Sequence, residues 1–175
     1  MKSSLLLFIL LFSFFSLSSL AQRDIYDISR GGNLQEIRQA YEDNSSIINE
    51  SNSKGYLPLT LACYHGNYEV VSFLVDKVED INANNNQGTA LIAAVFKKDI
   101  EIVKLLLDNN ADPNIADANG TTAMHYATMF QNYDVISLLI NAGADFTLKD
   151  NNGKSPIDFA KAYNDKKIYE LLKLN

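Results

Sequence analysis

One apolar heptapeptide occurs three times in this chain of 175 residues. Glu69-Val70-Val71-Ser72-Phe73-Leu74-Val75 returns as Glu101-Ile102-Val103-Lys104-Leu105-Leu106-Leu107, and again as Asp134-Val135-Ile136-Ser137-Leu138-Leu139-Ile140, at spacings of 32 and 33. A second motif precedes each copy or follows at the same period. Gly55-Tyr56-Leu57-Pro58-Leu59-Thr60-Leu61-Ala62 pairs with Gly120-Thr121-Thr122-Ala123-Met124-His125-Tyr126-Ala127 and with Gly153-Lys154-Ser155-Pro156-Ile157-Asp158-Phe159-Ala160. A third motif follows the apolar runs: Asp80-Ile81-Asn82, Asp112-Pro113-Asn114 and Asp145-Phe146-Thr147. Such a period leaves room for two short helices per unit. No unit of that size buries its own apolar face, but a row of them does, so the repeat dictates a stack.

These motifs resemble the ankyrin repeat, whose pattern runs Gly-x-Thr-Pro-Leu-His-x-Ala, a turn, Glu-Val-Val-x-Leu-Leu-Leu and Gly-Ala-Asp-x-Asn. The resemblance covers about residues 24–175. It implies an all-α solenoid of helix-turn-helix units joined by short β-hairpin-like finger loops. The ankyrin domain then occupies residues 22–175, in units of about 24–51, 52–84, 85–116, 117–149 and 150–175. First helices are expected to begin at Pro58 and Pro156, where proline's fixed φ suits the first turn. Thr89 and Thr122 keep the family's capping threonine, and Leu57 and Ser155 replace it. Gly66 and Gly143 sit at chain reversals that call for positive φ. Unit three departs from the pattern, with a finger loop (84–89) one residue short and its glycine displaced, and with Lys97-Lys98-Asp99 in place of the glycine turn, which predicts a distorted hairpin and helix turn. Unit two has Val78-Glu79-Asp80 in place of Gly-Ala-Asp, which predicts local strain. Charged residues on units one and five suit them to cap the stack and keep it a monomer.

The first 21 residues read as an export leader. Met1-Lys2 is followed by an apolar run from Leu5 to Leu17, and Ser19-Leu20-Ala21 fits the small-x-small rule of signal peptidase. About 13 apolar residues reach roughly 20 Å as a helix, short of a hydrocarbon core of about 30 Å, so stable membrane insertion after cleavage is not expected. The leader resembles those of Gram-negative bacteria, which implies the periplasm first and the extracellular space second. A single cysteine in such a compartment should be buried. Lys2 is the only charged residue of the leader, so the rest of the chain carries 14 basic against 21 acidic side chains. That balance argues against nucleic acid as a partner. With 47% hydrophobic residues the chain is too apolar for disorder.

Chemistry is hard to find in this sequence. Gly31-Gly32 lacks the further glycines of a phosphate-cradling loop. Two histidines and one cysteine are poor material for a metal site, and no nucleophile–base pair is legible among Cys63, His65 and His125. The reading is non-enzymatic, with no catalytic residue, cofactor or metal. Cys63 stands for a family alanine and belongs in the core. The resemblance implies that His125 ties adjacent units by a hydrogen bond and that Asn49, Asn82 and Asn114 stabilise loops.

In the family, ligands meet the concave face formed by finger tips and first helices. The corresponding positions here include Tyr56, Tyr64, His65, Phe96, Lys97, Asn119, Thr121, Met129, Phe130 and Tyr163. Tyr64, Phe96, Met129-Phe130 and Tyr163 recur at spacings of 32, 33–34 and 33, which predicts a row of large side chains along one groove. Such a row is suited to docking a protein or peptide; the competing assignment is extra core between first helices. The alternatives for function are a secreted host-directed ankyrin effector and, by family association, an accessory factor for a periplasmic oxidative-stress enzyme.

Overall fold

The computed structural model describes residues 23–84 and 88–172. The leader and residues 85–87 of the third finger lie outside them. Among the described residues, ten α-helices follow one another in pairs: α1 (Ile25–Gly31) with α2 (Leu34–Asp43), α3 (Pro58–His65) with α4 (Tyr68–Leu74), and α5 (Ala90–Lys97) with α6 (Ile100–Asp108). They continue with α7 (Ala123–Met129) beside α8 (Tyr133–Asn141), then α9 (Pro156–Tyr163) and α10 (Lys166–Leu171). A 3-10 turn, Ser45–Asn49, follows α2. No strand occurs among the described residues, and the fingers are hydrogen-bonded turns.

Each first helix packs on the next first helix, α1 on α3 and so on to α9, and each second helix on the next second helix. Contacts thus run between neighbours in sequence, as the repeat demands. Ala62, Ala94, Ala127 and Ala160 are fully buried, and their small side chains let the first helices approach. The second helices contribute the large aliphatics, among them Val70, Val71, Ile102, Val103, Val135 and Ile136. Cys63 is buried, and burial pushes its thiol well above the ordinary range, with the nearby Asp99 charge acting in the same direction.

Helix starts follow local chemistry. Pro58 and Pro156 open α3 and α9. Thr89 Oγ1 accepts from Ile92 N–H at 3.3 Å, and Ser155 forms a capping box with Asp158. Leu57 leaves α3 without a side-chain cap.

The turn between first and second helices is the same in four pairs. Gly66, Lys98, Gln131 and Asn164 all take the left-handed conformation, at φ 70°, 60°, 51° and 50°. The following N–H reaches back to the alanine carbonyl of the first helix: Asn67 to Ala62, Asp99 to Ala94, Asn132 to Ala127 and Asp165 to Ala160. The turn after α5 is therefore not distorted, contrary to expectation. Lys98 adopts the glycine geometry and bears its cost, because an L-residue there meets its own Cβ against the backbone. The strain expected after α4 is also absent. That segment closes with Lys77 and Val78 N–H on Leu74 C=O and contains no residue at positive φ.

Asparagine side chains stitch successive loops. Asn49 Oδ1 accepts from Glu79 N–H at 3.0 Å, Asn82 from Asp112 N–H at 2.8 Å and Asn114 from Asp145 N–H at 2.7 Å. These loops would otherwise present unpaired amides to the next unit.

Candidate partner-binding surface

The fingers are stiffened by one carboxylate or amide each. Asn52, Asp117 and Asp150 each accept two backbone N–H groups through Oδ1 across the turn, within 3.0 Å. Neighbouring fingers also join, since Asn151 N–H donates to Asn119 C=O at 2.9 Å. Gly120 makes this approach possible. Its φ is +73°, and a Cβ there would lie 2.9 Å from Asn151 N and 3.1 Å from Asp150 Cα. Beneath the fingers, buried His125 accepts from Thr122 N–H at Nδ1, which leaves Nε2 to donate to Lys154 C=O at 3.1 Å. This bond ties α7 to the following finger. A surface made of turns is thereby held with little freedom.

On the side where fingers meet first helices, aromatic rings touch in sequence. Tyr64 and Phe96 stack with centroids 6.1 Å apart, and Phe96 meets Phe130 edge-on at 5.6 Å. Tyr126 joins both, 5.7 Å from Phe96 and 6.1 Å from Phe130. Its hydroxyl donates to Asp117 Oδ2 at 2.8 Å. Burial and that carboxylate push the Tyr126 phenol up to about 12. Tyr64 and Phe96 nonetheless remain 43% and 44% exposed. His65 contacts the Tyr64 ring edge at 5.4 Å. Lys97 lies over Tyr64 at 4.9 Å and Lys98 over Phe130 at 5.1 Å, each close enough for attraction to the ring face.

Between these groups lies a groove of about 420 Å³ whose walls include Tyr56, Leu61, Tyr64, Ile92, Phe96 and Tyr126. Tyr56, Tyr64, His65 and Phe96 of the predicted set converge on it. Lys97 flanks it through Tyr64. Phe130 and Met129 are half-buried, Phe130 behind Phe96. Asn119 is exposed on the fourth finger. Thr121 is only 7% exposed and lies under that finger, its N–H donating to Asp117. Tyr163 is exposed and makes no ring contact with this row among the described residues, so it stands apart from it. Sequence reasoning missed Tyr126 and Lys98. Tyr126 fills the open place of the first-helix motif, shared by Leu61, Ala93 and Phe159, and this register could have found it. Among the described residues no group of three His, Cys, Asp or Glu is placed to hold a metal ion.

A family model described as ankyrin repeats (3 copies) matches residues 26–117 and again 98–175. The chain belongs to the ankyrin-repeat family, whose repeats generally serve as protein-interaction modules. "Ankyrin repeat and SAM domain-containing protein 6" of Rattus norvegicus is 33% identical over 102 residues, which is 57% of this chain and 12% of that protein. A "Probable 26S proteasome regulatory subunit p28" of Saccharomyces cerevisiae is 35% identical over 88 residues, covering 49% and 39%. A "Putative ankyrin repeat-containing protein" of Treponema pallidum is 36% identical over 78 residues, covering 44% and 26%. The matched stretch is thus well under half of each of these relatives.

Proposed function

We propose that the protein is a non-enzymatic binding module that takes a partner protein or peptide on the finger and first-helix face. One observation carries this reading. Tyr64 and Phe96 stand half in solvent on a surface whose turns and helices are already fixed. Large rings that need no ordering are what concentrate binding energy in an interface. Tyr56, His65, Lys97, Asn119, Met129 and Phe130 surround or extend that centre, while Tyr163 offers a separate exposed ring on α9. A frame held this firmly suits recognition of a partner by shape.

The test is crosslinked pull-down from the native cell, comparing the wild type with Tyr64→Ala/Phe96→Ala. Loss of specific partners with unchanged helical circular dichroism is the expected result. The same partners retained in full would discard the groove. We further propose that residues 1–21 export the chain to the periplasm; no helix among the described residues is long and apolar enough to cross a membrane. Fractionation decides this, and a cytoplasmic pool with an intact leader would refute it.

A further inference from the structure

Acidic side chains are unevenly shared between the first and second helices. Helices α3, α5 and α7 contain no acidic residue. Glu69, Glu101, Asp108, Asp134 and Glu170 all lie on second helices. The acids that do reach the groove side are engaged. Asp117 holds Tyr126 and two finger amides, Asp27 pairs with Arg30 at 2.6 Å, and Asp158 closes the cap of α9. Lys97 and Lys98, by contrast, are exposed, and neither is in an ion pair among the described residues. Both are parked over aromatic rings. His65 feels the same local field: its imidazole is held below the ordinary range by partial burial, and then by Arg30 and Lys97. An acidic chain has thus kept cationic side chains beside this aromatic groove.

Resting on the binding function above, we infer that the groove's occupant is an acidic peptide segment, one that seats a large apolar side chain against Tyr64 and Phe96 and sets carboxylates toward Lys97 and Lys98. Opposite charge at the rim steers the segment in and fixes its register, while the rings supply the contact area. The second helices α2, α4, α6 and α8 carry more acid than base, which disfavours the same segment on that side of the stack.

The experiment selects a phage-displayed random peptide library on the purified protein, then measures binding of the enriched synthetic peptides by fluorescence polarisation. Enrichment of Asp or Glu beside Phe, Tyr, Leu or Ile is expected. Lys97→Gln/Lys98→Asn should weaken these peptides by about tenfold. Raising salt from about 0.1 M to about 1 M, which shortens the screening length from about 10 Å to about 3 Å, should do the same to the wild type and less to the variant. Peptides that bind with no preference for acidic residues, and are indifferent to salt and to the lysine variant, would overturn the inference while leaving a peptide groove in place. Hexaglutamate competing as well as the enriched peptides would overturn the apolar half of it. Failure to enrich any peptide whose binding is lost in Tyr64→Ala/Phe96→Ala would overturn the groove reading beneath it.

Discussion

Removing the Asp165 side chain should loosen the last helix pair and leave the middle of the stack untouched. Asp165 is buried at the start of α10. Its Oδ1 accepts from Lys167 and Ile168 N–H at 3.1 Å each, capping the helix. Its Oδ2 accepts from Gln131 Nε2 at 2.8 Å and Tyr133 Oη at 3.0 Å, both from the preceding pair. Lys167 lies over the Tyr133 ring at 4.0 Å and closes the same junction. A lost cap costs about 1 kcal/mol. Each lost tie to a residue near solvent costs about 1 kcal/mol more, because Gln131 and Tyr133 rehydrate when the junction opens. For Asp165→Ala the sum is about 3 kcal/mol, or about 100-fold more frequent opening of residues 156–171. Hydrogen exchange read by mass spectrometry resolves this by segment. Amides of α9 and α10 should exchange about 100-fold faster, while those of α3 to α6 keep their protection, since each pair contacts only its neighbours. Asp165→Asn keeps an acceptor for the cap but turns a donor toward Gln131 and Tyr133, so it should fall between wild type and alanine. Uniform loss of protection along the whole chain, or none in residues 156–171, would refute the reasoning. Burial alone would raise the Asp165 carboxyl, but the hydrogen bonds from Ile168, Gln131, Tyr133 and Lys167 outweigh it and hold it below the ordinary range. The group's contribution is therefore complete above its unfolded value of about 3.9 and is lost as pH falls through the lower folded value. Protection of α10 should decline with acid in the wild type and much less in Asp165→Ala.

Four further outcomes are expected. His125→Ala should lower stability by about 2–4 kcal/mol in urea titration, because it removes a buried ring and strands the Lys154 carbonyl; a loss below about 1 kcal/mol would contradict the tie. Thr128 Oγ1 is buried with no hydrogen-bond partner among the described residues, and Val95 fills the same place one unit earlier; Thr128→Val should raise stability by about 1 kcal/mol, and a fall in melting temperature would show an unseen partner for the hydroxyl. Lys98→Gly should be neutral to stabilising, by up to about 1 kcal/mol, since left-handed backbone costs lysine about 1–2 kcal/mol and glycine's entropy returns about half of that; clear destabilisation would mean the turn is not held by its hydrogen bonds. Cys63 should resist thiol reagents in native buffer and react only in denaturant, as its burial and raised pKa require; rapid native labelling would contradict the core assignment.

Much of this architecture was readable from spacing. The period located the helix pairs, Pro58 and Pro156 marked helix starts, and the family resemblance gave Asn49, Asn82 and Asn114 a loop-stabilising role, which they fill by bonds to the next loop. His125 was read as a tie between units, and it bonds Lys154. What misled was Lys97-Lys98-Asp99. A missing glycine suggested a broken turn, yet the stack imposes the same turn on Lys98, Gln131 and Asn164. The hydrogen bonds back to Ala94, Ala127 and Ala160 outweigh the local preference of those residues. The site was readable in outline only. Tyr64, Phe96 and Phe130 were visible as a periodic row, but period alone did not show that Thr121 is covered, that Tyr163 stands apart or that Tyr126 links the rings.

The sequence by itself determined that helices come in pairs and that each pair stacks on the next, because a repeated apolar stripe has nowhere to go but onto its own copies. Tertiary structure decided which charges meet which faces and which rings stay in solvent. Those outcomes depend on the angle and closeness of neighbouring units, set by alanine contacts and left-handed turns. No linear pattern encodes the distance from Lys97 to the Tyr64 ring, or from Gln131 to Asp165; the stacking of one unit on another creates both.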